Sequence, residues 1–301
     1  MTTLRRNTVD LHTHTARSDG VLEPLELYEQ MRAWGSTLVA ITDHDTLAGA
    51  KELLAAGCGA LGTTGPRIIV GVEINTMVDA EVEAVGGTEE RLNELHLLGL
   101  GVDPDDATLA ATLERQRSAR QRRLDETLAR LRGLGLPVDD HLPQIEGGID
   151  ALGRPHVARA LVSAGHADDV QDAFARYLVP DMPAYVRRQG IGPRAAIEAI
   201  SAAGGIASLA HSAWAPDEPE VIDELMRWGL RGLEVHYHFW DDERIECMGA
   251  FADERGLLRT GGSDYHGDTG AYDQSQASVF VPPEAGERLL EALASKHAGR
   301  L

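Results

Sequence analysis

Short apolar runs alternate with amphipathic stretches through the first third of the sequence and again through its last third, and this rhythm limits the fold more than any other feature. Val9 to His14, Leu38 to Thr42, Arg67 to Ile74 and Glu94 to Leu100 read as strands; Leu25 to Trp34, opened by Pro24 and closed by Gly35, and Ala48 to Ala56 read as helices. Strands that alternate with helices predict parallel pairing with helical crossovers. From Asp105 to about Ala175 the rhythm gives way to helix after helix, with turn signals at Gly133, Gly135-Leu136-Pro137 and Gly147-Gly148. Alternation then resumes: helix Pro193 to Ala203, strand Ile206 to Ala210, helix Glu220 to Trp228, strand Gly232 to Tyr237, helix Asp242 to Glu254 and strand Leu258 to Gly261, where the barrel-like half closes. The expected organisation is one α/β domain in two pieces, residues 1–104 and 191–301, with a helical subdomain inserted over 105–190.

At 301 residues the chain can bury a substantial core without disulfides. Cys58 and Cys247 share no close spacing with each other or with histidine, which fits neither a disulfide framework nor a zinc clip and is compatible with a reducing cytoplasm. The polar segment Met1 to Thr8 has no apolar core of a signal peptide, and no run approaches the roughly eighteen apolar residues of a membrane span, so a soluble cytoplasmic protein is expected. A formal charge of -20 argues against binding long nucleic acid. Against that acidic background, Arg115 to Arg132 concentrates seven arginines. Pattern alone leaves two readings open, a basic face awaiting an anion or a solvated helix with i,i+4 pairs to Asp125 and Glu126.

Residues i and i+2 of a strand face the same side, so His12 and His14 can present both imidazoles to one ion, with Asp19 close behind in the following turn. Two histidines on a half-exposed strand prove little alone. Nearly every later strand, however, also ends in residues fit to bind a metal: Thr42-Asp43-His44-Asp45-Thr46, Gly71-Val72-Glu73-Ile74, Leu95-His96-Leu97-Leu98-Gly99, Leu209-Ala210-His211 and Gly262-Ser263-Asp264-Tyr265-His266. In a barrel of parallel strands the C-terminal ends converge on one face, so these residues are expected to form a single ring of ligands.

Asp10-Leu11-His12-Thr13-His14-Thr15, Ser18-Asp19-Gly20, Thr42-Asp43-His44-Asp45-Thr46, Gly71-Val72-Glu73 and Gly262-Ser263-Asp264-Tyr265-His266 together resemble the PHP (polymerase and histidinol phosphatase) family of the amidohydrolase superfamily. The middle of the chain resembles a subgroup with an inserted helical domain, through Gly153-Arg154-Pro155-His156, Ala173-Phe174, Tyr177-Leu178, Pro183-Ala184-Tyr185-Val186 and Ala203-Gly204-Gly205. The resemblance implies a distorted (β/α)7 barrel holding two or three divalent ions, zinc, manganese or iron. Carried over by motif, His12, His14, Glu73 and Asp264 hold a first ion. Glu73 bridges to a second with His96 and His211, and Asp19, His44 and His266 hold a third. His12, His14, Glu73, Asp264 and His211 are the expected catalytic residues. Arg120, Arg123, Arg154 and His156 of the insertion are the expected substrate contacts, which favours a functional role for part of the basic helix.

Ser212 follows His211 where many members of the family have proline; it places a hydroxyl either beside the substrate or in a surface turn. His236 and His238 repeat the i,i+2 pattern, but the family has no ligand there, so His238 is carried only as a further substrate-contact candidate at a strand end. A hydroxide bridging two divalent ions is a strong nucleophile at neutral pH, and the arginines point to a second phosphate on the substrate. Relatives of this architecture act on 3',5'-nucleotide bisphosphates, short 5'-phosphorylated RNA or cyclic ribose phosphates. The expected partner is therefore a small phosphorylated molecule, with no membrane, no long nucleic acid and no obligate protein. The rival activity is histidinol phosphate phosphatase, a cationic and singly phosphorylated substrate. A non-catalytic metal-binding module is the rival of another class, and a specific RNA-binding protein a third, which the scarcity of aromatics opposes.

Overall fold

The protein, represented by a computed structural model, is described over residues 7–60, 64–88, 92, 94–143, 153–187, 189–268 and 274–298; the turn read at Gly147-Gly148 lies outside them. Two compact units are present, one of residues 1–113 with 191–301 and one of residues 114–190.

The first unit is built on a sheet of seven strands in chain order: β1 (Val9–Asp10), β2 (Leu38–Ile41), β3 (Arg67–Met77), β4 (Glu94–Leu100), β5 (Ile206–Leu209), β6 (Gly232–Tyr237) and β7 (Leu258–Gly262). Beyond the short ladder of β1, Leu11 N–H donates to Gly261 O at 3.1 Å and His14 N–H to Tyr265 O at 2.9 Å. These bonds bring the first strand to the last, so the mixed sheet nearly closes into a barrel. Helices α1 (Pro24–Trp34) and α2 (Ala48–Ala55) follow β1 and β2, while the long helix α3 (Ala107–Gly133) follows β4. The unit boundary falls within α3. Later in the chain come α4 (Arg154–Ser163), α5 (Pro193–Ala202), α6 (Pro219–Trp228), α7 (Asp242–Glu254) and α8 (Pro283–Ala298).

Local chemistry explains the boundaries. Pro24 opens α1, the Glu23 backbone N–H donates to Glu26, and Gly35 takes the left-handed conformation that ends the helix. Leu27 and Met31, one turn apart, are wholly buried against Val39, Ile41 and Leu53. Each such aliphatic side chain contributes roughly 1.5–3 kcal/mol of burial. Helix α8 lies beyond the last element expected from the sequence. Its Ala285, Leu289 and Leu293 join Val9, Leu38 and Leu100 in a second apolar cluster.

The expectation of parallel strands throughout is corrected at β4, which runs antiparallel to both β3 and β5. The cause is the length of β3. Its first residues pair with β2, but the strand runs on from Gly71 to Met77, and the chain returns alongside it as β4. His96 therefore stands near the start of its strand, and the reversal of direction is what brings it to the site. Glu73 likewise lies within β3 rather than at its end.

In the second unit, Leu124, Leu128 and Leu131 of α3 pack with Val157 and Leu161 of α4 and with Tyr177 and Leu178. The Arg123 Nε–H donates to Val186 O at 2.9 Å, and Arg130 bonds both Tyr185 O and Glu126. Arg117 pairs with Glu114, and Arg132 with Asp139. Part of the basic helix is thus engaged within its own unit.

Candidate metal centre

All nine candidate ligands converge in the first unit. They form three overlapping groups: His12, His14, Glu73 and Asp264; Glu73, His96 and His211; and His14, Asp19, His44 and His266, with the donor atoms of each group within 4.8 Å of one another. Glu73 and His14 each belong to two groups. Six of the seven strands, all but β6, supply a ligand from within the strand or from the segment that follows it.

Close backbone approach brings the ligands from the two ends of the chain together. A Cβ built on Gly262 would stand 2.4 Å from the Cβ of His12, so β7 can lie this near β1 only without a side chain. Asp10 Oδ1 accepts from the N–H groups of His12 and Ser263, and its Oδ2 accepts from the Ser263 hydroxyl at 2.6 Å. Burial pushes the Asp10 carboxyl up to about 6 against these bonds. Asp43 accepts from Thr15 N–H at 2.7 Å and from the hydroxyls of Thr15 and Ser18, which fixes the turn that carries Asp19.

The donor set fits divalent cations. His12 Nε2 is 3.1 Å from Glu73 Oε2 and 3.4 Å from Asp264 Oδ1, and His14 Nε2 is 3.2 and 3.1 Å from the same two atoms. Two ligands about 2.0–2.1 Å from one tetrahedral ion stand roughly 3.4 Å apart, so these spacings are those of atoms sharing a cation. Neither buried ring nitrogen of His14 has a hydrogen-bond partner of acceptable geometry, and buried Asp19 Oδ1 has none either. Buried polar atoms are seldom left so.

Charge points the same way. The ion pairs of Asp19, Glu73 and Asp264 among the described residues are all with histidines, which are positive only when protonated. Burial works against a charged ring at His14, yet the carboxylates of Asp264 and Glu73 outweigh it and push the imidazole up to about 10. For His96, burial is again opposed and outweighed, chiefly by Glu73, and the ring rises to about 9. Against burial, the surrounding histidines hold Asp19 and Glu73 well below the usual carboxylate range. A cluster that draws protons this strongly calls for positive charge, and divalent metal ions supply it without protonating the ligands.

Of the five non-glycine residues with positive φ among the described residues, three lie at the centre: the ligands His211 (29°) and Asp264 (51°), and Asp45 beside His44 (55°). Such conformations cost about 1–3 kcal/mol each and persist where surrounding structure holds them.

The PHP domain profile matches residues 10–131. A 5'-3' exoribonuclease of Haemophilus influenzae is 32% identical over 85% of this chain and 89% of its own length. The chain belongs to the PHP-domain family. A 3',5'-nucleoside bisphosphate phosphatase of Chromobacterium violaceum is 31% identical, over 86% of this chain and 87% of its own. Among solved structures, a Bifidobacterium adolescentis protein assigned as a metal-dependent phosphoesterase superposes with a TM-score of 0.77 at 30% identity, covering 95% of this chain and 96% of its own.

The expected substrate contacts of this PHP protein divide between the units. Arg120, Arg123, Arg154 and His156 belong to the helical unit. There His156 is buried at the start of α4, and its Nδ1 accepts from Gly153 N–H at 3.1 Å. Ser212 and His238 belong to the barrel unit. The buried Ser212 hydroxyl donates to Ala210 O at 2.8 Å, as a turn serine does. His238 is half-buried, its ring 3.8 Å from Phe239 and 4.7 Å from Tyr237. His236 is buried away from any ligand group, and burial together with Arg259 lowers its ring to about 4.

Sequence reasoning passed over Glu234 and Tyr237. Glu234 Oε1 lies 3.1 Å from His12 Nδ1, and Tyr237 hydroxyl donates to Asp264 Oδ2 at 3.0 Å. An acidic residue inside the apolar run Gly232-Leu233-Glu234-Val235 was the available signal, since carboxylates are rarely buried without a partner.

Proposed function

We propose that this PHP protein is a metal-dependent phosphoesterase that hydrolyses phosphate esters of nucleotides or ribose. The observation that carries the reading is the convergence of nine nitrogen and oxygen ligands into three overlapping groups. In this reading His12, His14, Glu73 and Asp264 hold one ion, Glu73 with His96 and His211 a second, and Asp19, His44 and His266, beside His14, a third. Zinc, manganese or iron suits the mixed donors. When bound, the ions supply an acidified water as nucleophile and offset the charge that builds on the phosphoryl oxygens. The protein's own part is to fix the ligands, exclude bulk water from the buried side of the cluster and orient the ester.

Orientation falls to residues outside the ligand groups. Arg120, Arg123, Arg154 and His156 of the helical segment 105–190 are proposed to bind a second phosphate of the substrate; guanidinium forks suit that task. Just beyond the end of β6, Phe239 is 61% exposed, the highest value among the exposed large apolar residues that the structure describes. Its ring lies 5.7 Å from that of Tyr237, which is 5.6 Å from His211. An open aromatic face so near the ligands supports a nucleobase stacked there, with His238 beneath it, an interaction of about 1–3 kcal/mol per base. Nucleotides use that face; base-free ribose phosphates do not.

A turnover screen of metal-loaded protein tests the reading. Adenosine 3',5'-bisphosphate, short 5'-phosphorylated RNA, cyclic ribose phosphate and histidinol phosphate would be compared at equal concentration. A nucleotide or ribose ester is expected to lead. Preference for histidinol phosphate overturns the substrate class, and no turnover on any ester by a metal-loaded chain would leave a binding module in place of an enzyme.

A further inference from the structure

Strand β6 contributes nothing to the three ligand groups, yet it reaches three of the ligands. Glu234 is fully buried, and both of its oxygens are engaged: Oε1 lies 3.1 Å from His12 Nδ1, and Oε2 accepts from the backbone N–H of His211 at 2.7 Å. Three residues later, the Tyr237 hydroxyl donates to Asp264 Oδ2 at 3.0 Å. Residues three apart on a regular strand point to opposite faces. Here the pairing of β6 with β7 slips between Glu234, opposite Thr260, and His236, opposite Gly261. The extra residue resets the alternation, so Glu234 and Tyr237 both face the cluster. Bulges beside active sites serve to re-aim side chains in this way.

The ligands tied by β6 are the ones that most need support. His211 and Asp264 are the two with positive φ. One is held by its amide on Glu234, the other by its carboxylate on Tyr237. His12 needs a defined tautomer. With Nδ1–H donated to Glu234, its Nε2 lone pair is left facing Glu73 Oε2 and Asp264 Oδ1, 3.1 and 3.4 Å away. Histidine ligands are oriented in this manner by a carboxylate on the far ring nitrogen.

We infer that Glu234 and Tyr237 are the positioning residues of the centre. Glu234 fixes the tautomer of His12 and the backbone of His211, and Tyr237 turns Asp264 so that Oδ1 faces the ligand group. The inference rests on the metal-centre reading, not on the identity of the ester.

Its test is metal affinity. Glu234→Gln keeps the shape but leaves a single acceptor oxygen for two donors, and Tyr237→Phe removes only the hydroxyl. Zinc would be titrated into the full, metal-stripped chains against a chromophoric chelator. Loss of a supporting contact at a metal site typically costs about 10–100-fold in affinity, and a weakening of that size is expected for Glu234→Gln, with a smaller one for Tyr237→Phe. Circular dichroism of the metal-free variants is expected to match the parent. Parent-like affinity in both variants sinks the inference while leaving the metal centre standing; a parent that takes up no zinc sinks the centre itself. Should Glu234→Gln fail to fold, the parent alone decides through 15N spectra of its imidazoles. In the zinc-loaded chain His12 is expected to carry its proton on Nδ1 and the metal on Nε2, and the reverse arrangement overturns the proposal.

Discussion

His14 is the histidine common to two ligand groups, it is wholly buried, and both its ring nitrogens lie among carboxylates and imidazoles without a hydrogen-bond partner. Replacing it removes one donor from each group while adding no charge to the interior. His14→Ala is therefore expected to lower turnover by more than the roughly 100-fold that loss of a mere supporting contact costs, with a far-ultraviolet dichroism spectrum like the parent's. Near-native turnover would take His14 out of the site. This residue was legible in the sequence because its chemistry repeats: a second imidazole two positions away, then carboxylates and histidines near one strand after another. Glu234 was not, because a carboxylate inside an apolar strand declares its purpose only through the partner it meets, and its partners are 222 and 23 positions away. His236 shows the converse. It repeats the pattern of His12 and His14 in sequence, but the bulge in β6 turns a different pair of residues toward the ligands.

At the scale of elements, apolar periodicity marked where most strands and helices run but carries no sign of direction. Nothing in Glu94-Leu95-His96-Leu97 distinguishes a strand that ends at the site from one that begins there, and the long β3 decides the matter. Helix α8 lies beyond the alternation of strands and helices that marks the barrel, although Leu289 and Leu293 have the spacing of a buried face. From the sequence, the basic helix α3 is expected to be part solvated face and part anion site. Arg117, Arg130 and Arg132 fit the first part, paired with Glu114, Glu126 and Asp139. Arg123 is different, since its Nε–H is spent on the Val186 carbonyl, which holds the guanidinium in a set orientation. If that guanidinium grips a second phosphate, Arg123→Ala should raise KM for adenosine 3',5'-bisphosphate by roughly 10-fold or more, the loss of a charged hydrogen bond of about 1.5–3 kcal/mol. The same change should leave kcat, and KM for adenosine 5'-monophosphate, much nearer the parent values. Equal effects on the two substrates would mean that Arg123 only supports its own unit.

For the whole molecule, the centre is also a cross-link. Ligands that begin at His12 and end at His266 come from six strands of a sheet whose first and last members meet beside them, so bound ions fasten together segments far apart in the chain. The chain carries a formal charge of -20, and Asp19, Glu73 and Asp264 concentrate negative charge within the barrel unit. Without cations, that cluster must either take up protons or tolerate repulsion between buried carboxylates. An ion that binds the folded chain and not the unfolded one stabilises it by about 2.7 kcal/mol per site at a hundredfold excess over Kd. For a unit of this size about 1 kcal/mol moves Tm by roughly 2–4 °C. Chelation followed by dialysis should therefore lower Tm by at least about 5 °C, and zinc or manganese added back should restore it. Hydrogen exchange read by mass spectrometry localises the effect. Removing the metal should speed exchange in the segments around Leu11 to His14, Thr42 to Asp45, Ala210 to Ser212 and Ser263 to Tyr265. It should leave the apolar core of the helical unit, Leu124, Leu128, Val157 and Leu161, unchanged, because no candidate ligand lies there. A Tm indifferent to chelation, or faster exchange confined to the helical unit, would mean that metal ions do not hold the barrel's ligand-bearing segments together.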